Sequence, residues 1–170
     1  MDLKKYLRDV PDFPKKGIIF RDITTLVKEP QVFKYVIDKI VKEFKTQKID
    51  KIVSVEARGY IFGGAIAYNL GCGLVPVRKT GKLPAETIKL EYDLEYGKNV
   101  IEIHKDGLKK GERVLTFDDV LATGGTMLAT CKLVEMLGAE VVACAFLANL
   151  TYLKGYEKLK DYKVFSVVEY

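Results

Sequence analysis

This 170-residue sequence predicts an α/β fold: a mostly parallel twisted sheet with helices on both faces. Two patterns point that way. Short β-branched runs alternate with helical stretches, the order that builds parallel strands with crossover helices. Several of those runs are apolar throughout rather than every second residue, as strands covered on both faces are. The chain also has no repeat, no low-complexity tract and no linker, so a single domain over residues 1–170 is expected, with residues 1–30 as a small N-terminal hood.

Taken in order, residues 31–44 follow Pro30 and place Val32, Phe33, Val36, Ile37, Ile40, Val41 and Phe44 at i, i+3, i+4 spacing, the signature of an amphipathic helix. Residues 51–55 read as a strand, and residues 59–70 as an apolar helix stopped by Gly71. Residues 74–77 are the next strand. Over residues 80–92 the periodicity lapses and Gly81 and Pro84 intervene, which predicts a long loop of the kind used as a lid or binding segment. Residues 99–104 read as a strand and 109–111 as a turn. Residues 113–117 form a buried strand that ends at Asp118 and Asp119. A helix over 124–137, with Met127, Leu128, Cys131, Val134 and Leu137 on one side, stops at Gly138. Residues 141–148 and 163–168 are the last strands.

Charge narrows the function classes. The formal balance is +5, but residues 1–51 carry 13 basic against 8 acidic groups and the rest carries 15 of each. In that N-terminal third Lys34, Lys39, Lys42, Lys45 and Lys48 fall at helical spacing between apolar residues, a solvated helix face rather than a nucleic-acid stripe. Anionic small molecules stay open. Cys72, Cys131 and Cys144 are odd in number and widely spaced, which makes neither a disulfide framework nor a metal quartet and fits a reducing cytoplasm. The first residues are too charged for a signal peptide, and the longest apolar run, residues 141–148, is too short to span a bilayer, so no membrane partner is expected.

The chemistry concentrates in residues 118–126 (DDVLATGGT). In an open α/β sheet, ligands sit beyond the carboxyl ends of the strands, where Asp118 and Asp119 fall. Ala122, Thr123, Gly124, Gly125 and Thr126 then turn into a helix whose free amides and positive dipole end make a phosphate cradle. Two carboxylates beside that cradle would repel the phosphate unless they address something else. Vicinal ribose hydroxyls and a divalent cation are both candidates, and a sugar 5-phosphate satisfies both halves. No Walker A loop is present, and Gly71 and Gly73 fail the dinucleotide pattern because Pro76 takes the third glycine position.

This stretch resembles the phosphoribosyl pyrophosphate signature of type I phosphoribosyltransferases, and its LATGGT wording is similar to the adenine branch. Three further blocks agree in order: residues 13–23 (FPKKGIIFRDI), 56–60 (EARGY), and 78–84 (RKTGKLP) continuing to 94–97 (LEYG). The resemblance implies that residues 122–126 bind the 5-phosphate and that Asp118 and Asp119 bind the ribose hydroxyls. It implies that Ile19, Phe20 and Arg21 hold adenine under the hood. Arg58, Lys79 and Lys82 would neutralise the pyrophosphate, and Arg78 would reach the neighbouring subunit's site in a homodimer. Glu95 and Tyr96 would close over the reacting centre, Glu95 handling the proton of the purine imidazole nitrogen.

The reaction so implied joins phosphoribosyl pyrophosphate to adenine, giving AMP and pyrophosphate, with Mg2+ held mainly by substrate oxygens and water rather than by protein ligands. Another purine base (xanthine, hypoxanthine or guanine) and a non-catalytic sensor of phosphoribosyl pyrophosphate remain open on these residues. For Arg58 the plain alternative is an ion pair with Glu56, for Phe20 a place in the core, and for His104, the one histidine, a structural role.

Overall fold

The computed structural model describes residues 1–93 and 97–170. A 3₁₀ turn, Leu3–Tyr6, leads into a two-stranded antiparallel sheet of β1 (Arg8–Pro11) and β2 (Ile19–Asp22). Its register sets Arg8 against Asp22, and these two side chains form a close ion pair across the hairpin. The short α1 (Thr24–Val27) and the long α2 (Pro30–Phe44) follow, then β3 (Lys51–Val55), α3 (Gly59–Leu70) and β4 (Gly73–Lys79). The second half runs β5 (Thr87–Asp93), β6 (Lys98–His104), β7 (Arg113–Leu121), α4 (Gly125–Met136), β8 (Glu140–Asn149), two 3₁₀ turns (Thr151–Leu153 and Gly155–Leu159) and β9 (Val164–Glu169).

Seven strands form the main sheet in the order β5-β6-β4-β3-β7-β8-β9. The five from β4 to β9 in that order pair parallel, while β6 is antiparallel to both β4 and β5. Each face is covered. Ile52 and Leu115 turn toward a cluster with Val36, Ile40 and Phe44 of α2 and Phe62 and Ile66 of α3. Their strand neighbours Val53 and Val114 turn the other way, toward Ala129, Leu133 and Val134 of α4. That alternation is the period-two geometry of a strand applied to residues that are all apolar. Burying such side chains is worth about 1.5–3 kcal/mol each before chain entropy is counted.

The helix bounds match the sequence reading to within a residue, and Gly71 ends α3 in the left-handed conformation at φ 69°. Two expectations are corrected. The segment read as a loop over 80–92 contains β5 from Thr87, paired along its length with β6. Ile88, Leu90 and Tyr92 are half-buried against the sheet core, a period-two signal interleaved with Lys89 and Glu91. The strand expected to stop before the aspartates also runs on to Leu121, because β8 continues beside it to Asn149 and keeps supplying backbone partners.

From β3 the chain moves to β4 on one side, and later to β7 on the other. With α3 and α4 packed on opposite faces, the carboxyl ends of β3 and β7 flank an open crevice, the switch point where doubly wound sheets bind ligands.

Candidate active site

A cavity of about 800 Å³ occupies that crevice. Asp118, Asp119, Ala122, Thr123 and Thr126 line one wall, and Ile19, Phe20 and Arg21 of the hairpin reach it from above. Arg58 and Lys79, from the ends of β3 and β4, complete the set. Residues far apart in sequence thus meet because three strand ends and the hairpin converge.

The turn expected to cradle a phosphate is built from backbone. Gly124 adopts φ 79° and α4 starts at Gly125, so Gly124 and Gly125 lie in the turn behind the cavity wall rather than on it. The Leu128 amide donates to the Gly124 carbonyl at 3.0 Å, leaving the amides just ahead of it outside the helical ladder and available to an anion. This turn is backed by Gly155: a Cβ on Gly124 would lie 2.3 Å from the Gly155 carbonyl oxygen, and one on Gly155 would lie 2.2 Å from that of Ala122. The Thr126 hydroxyl donates to the Tyr92 hydroxyl at 3.1 Å, which ties β5 to the cradle.

The carboxylate pair sits in a poorly solvated place. Burial, reinforced by repulsion from Asp119, pushes Asp118 well above the usual carboxylate range. Burial raises Asp119 too, against the opposing pull of the Arg58 guanidinium. Arg58 Nε is 2.8 Å from Asp119 Oδ2, an ion pair whose N–H is not aligned for a hydrogen bond, so that buried oxygen keeps an open lone pair. Sugar hydroxyls or a cation would relieve both carboxylates. Among the described residues no cluster of three or more His, Cys, Asp or Glu is placed to hold a metal ion.

Arg58 does not pair with Glu56. Glu56 instead accepts from Arg78 Nε at 2.8 Å and from the Lys79 amide at 3.0 Å, bonds that hold it below the usual carboxylate range even though its burial acts the other way. Arg58 stacks its guanidinium 4.7 Å over the Phe20 ring. Phe20 itself is half-exposed, meets Phe13 edge-on at 5.1 Å and faces the cavity, so it is not a core residue. His104 accepts from the Ala85 amide at 3.4 Å, away from the cavity.

Besides Gly124 and Gly125, two expected site residues lie off the cavity. Arg78 is turned to Glu56 and to the Lys82 carbonyl oxygen, 3.1 Å away, and Lys82 is exposed on the turn beyond β4. Glu95 and Tyr96 fall outside the described residues. The sequence reading missed Tyr92, Val120, Leu150, Tyr152 and Leu153, all on the cavity wall. A signal existed for the last three: they directly follow β8, whose carboxyl end is next to that of β7.

The family model described as the phosphoribosyl transferase domain matches residues 22–169. An adenine phosphoribosyltransferase of Desulfosudis oleivorans is 54% identical over 170 residues, spanning 100% of this chain and 98% of that one. The chain belongs to the adenine phosphoribosyltransferase family. Among solved members, the enzyme from Thermoanaerobacter pseudethanolicus superposes with a TM-score of 0.97 at 50% identity, covering 99% of this chain and 98% of that one. The Saccharomyces cerevisiae enzyme, solved with adenine and an imino-altritol bisphosphate, is 41% identical with a TM-score of 0.91, covering 97% and 96% of the two chains. The adenine phosphoribosyltransferase fold therefore extends over nearly all of this chain, hairpin included.

Proposed function

We infer that this chain moves the 5-phosphoribosyl group of phosphoribosyl pyrophosphate onto adenine, releasing AMP and pyrophosphate. One observation carries the site assignment: the carboxylate pair, the amide-lined turn and the Phe20 ring share one cavity of about 800 Å³. In this reading residues 122–126 take the 5-phosphate, with Gly124 and Gly125 supplying backbone and Thr123 and Thr126 hydroxyls. Asp118 and Asp119 hold the ribose hydroxyls, whose hydrogen bonds offset the cost of the buried charges.

Adenine lies against Phe20, with the backbone of Ile19 and Arg21 at its edge, under a hood formed by residues 1–30. Arg58 and Lys79 face the leaving pyrophosphate, and Lys82 and Arg78 are assigned to the same end, Arg78 toward a second subunit. The C–O bond to pyrophosphate breaks with its electron pair leaving on that group, and a C–N bond forms to the purine imidazole nitrogen. Glu95 takes the proton lost there, and Tyr96 closes the site with it. Mg2+, when bound, would be held mainly by substrate oxygens and water and would supply positive charge to the leaving pyrophosphate, while Asp118 and Asp119 stay with the ribose hydroxyls. In this reading residues 80–96 keep water from the activated sugar.

The functional unit we assign is a homodimer in the cytoplasm. Tyr68 and Ile61 of α3 and Leu74 of β4 are large apolar side chains left exposed, as a subunit contact would need. No helix among the described residues is long and apolar enough to cross a membrane, and Cys72, Cys131 and Cys144 are free thiols. The test is direct: the protein, Mg2+ and phosphoribosyl pyrophosphate are mixed with each purine base in turn, and nucleotide and pyrophosphate are measured. AMP from adenine alone is expected. Equal use of guanine would overturn the base assignment, and full activity of Asp118→Asn would overturn the site.

A further inference from the structure

The turn that follows β4 is held from below by one side chain. Glu102, on β6, is 1% exposed, and its Oε1 accepts three consecutive backbone amides: Gly81 at 2.9 Å, Lys82 at 3.1 Å and Leu83 at 3.2 Å. Its other oxygen accepts from the Thr87 hydroxyl at 3.3 Å and lies 3.6 Å from Lys89 Nζ, both on β5. Across the sheet register Glu102 is opposite Arg78. Burial alone would raise this carboxyl, yet the amides of Leu83 and Lys82 and the charge of Lys89 hold it below its usual range, so it stays ionised.

Successive amides converging on one point form a nest that ordinarily receives an anion from solution. Here the protein's own carboxylate fills it. The backbone of residues 81–83 therefore has no free donors to offer a pyrophosphate, and that side of the site must act through the lysine side chains. Where those side chains start from is then set by Glu102, which fixes one end of the turn as Glu56 fixes the other at Arg78 and Lys79. Gly81, at φ 81°, gives the turn the left-handed residue that brings three amides to one oxygen.

We propose that Glu102 is a positioning residue for pyrophosphate: by filling the nest under residues 81–83 it fixes the backbone from which Lys79, on the cavity wall, and Lys82, on the exposed turn, reach toward the leaving group, without touching that group itself. This rests on the assignment of Lys79 and Lys82 to the pyrophosphate end.

The experiment compares Glu102→Ala, Glu102→Gln and Lys79→Ala in steady-state kinetics of both reaction directions, with amide hydrogen exchange across residues 79–84. Glu102→Ala should raise the KM for phosphoribosyl pyrophosphate and for pyrophosphate on the order of ten- to a hundredfold, leave the KM for adenine within about twofold, and speed exchange at 81–83. Glu102→Gln keeps an acceptor oxygen for the amides and should recover most of the loss. If Glu102→Ala does not fold, Glu102→Asp, whose shorter arm cannot reach all three amides, replaces it with the same expectation. A Glu102 variant with faster exchange but an unchanged pyrophosphate KM, while Lys79→Ala raises that KM, overturns the positioning role alone. An unchanged pyrophosphate KM in Lys79→Ala overturns the assignment beneath it as well. A loss spread equally over adenine and pyrophosphate would mark Glu102 as a fold residue and overturn the proposal.

Discussion

Gly155→Ala should damage the phosphate cradle from outside the cavity. The new Cβ would lie 2.2 Å from the Ala122 carbonyl oxygen and 2.9 Å from the Gly124 nitrogen, both backbone atoms that cannot rotate away. Relaxing the first contact to an ordinary 3.4 Å requires one backbone segment to retreat by about 1.2 Å. A displacement of that size at a positioning element costs on the order of a hundredfold in rate. Overpacking of this kind also costs about 1–3 kcal/mol, a fall in Tm of roughly 2–12 °C for a chain of this size. Initial rates against phosphoribosyl pyrophosphate at saturating adenine, with a thermal melt alongside, read both effects. The expected pattern is a large loss in kcat/KM for the phosphorylated sugar beside a modest loss of stability. A variant with the parent's kcat/KM and Tm would refute the claim that this contact sets the cradle.

Asp118→Asn should separate stability from activity. Because the folded chain raises the Asp118 pKa, the unfolded chain releases that proton first, and stability falls as pH climbs from 3.8 through the folded value. The variant is therefore expected to be more stable than the parent at pH 7, to lose that advantage below pH 3.8, and to make little nucleotide; melts across pH with an activity assay check it. Asp22 works in the opposite sense. Arg8 and the Thr24 amide hold it at about 2, so its contribution is present above pH 3.8 and lost as pH falls toward 2. Acid titration of hairpin NMR signals should show this window, and Asp22→Asn should abolish it. Tyr92→Phe removes the hydroxyl that accepts from Thr126 and from Asn99 Nδ2; loss of the Thr126 bond, worth about 1 kcal/mol, should raise the KM for phosphoribosyl pyrophosphate roughly fivefold with adenine unaffected.

What the sequence made legible is what lies close together along the chain. Asp118 to Thr126 contains both the carboxylates and the turn that follows them, so strand end, cradle and helix start could be read in one pass. The helices were legible because Val32, Val36, Ile40 and Phe44 repeat with the helical period and are buried as that period requires. The rest depends on neighbours. β7 runs past its aspartates only because β8 lies beside it, and β5 is a strand because β6 offers it a register from His104 to Lys98. Tyr92 reaches the cavity through its pairing with β6, and nothing local to it announces that. The plain alternative for Arg58, an ion pair with Glu56, fails because Glu56 is nearer in sequence while Asp119 is nearer in space, and Glu56 pairs with Arg78 instead.

Arg58 is a shared part. Its guanidinium touches Asp119 on one side and the Phe20 ring on the other, and so belongs to both halves of the cavity. A ligand that claims the carboxylate changes what holds the arginine, and a ligand that slides over the ring does the same from the opposite end. If occupancy of one half shifts the arginine, the other half is linked to it, and thermodynamic reciprocity then requires each ligand to alter its companion's affinity by the same factor.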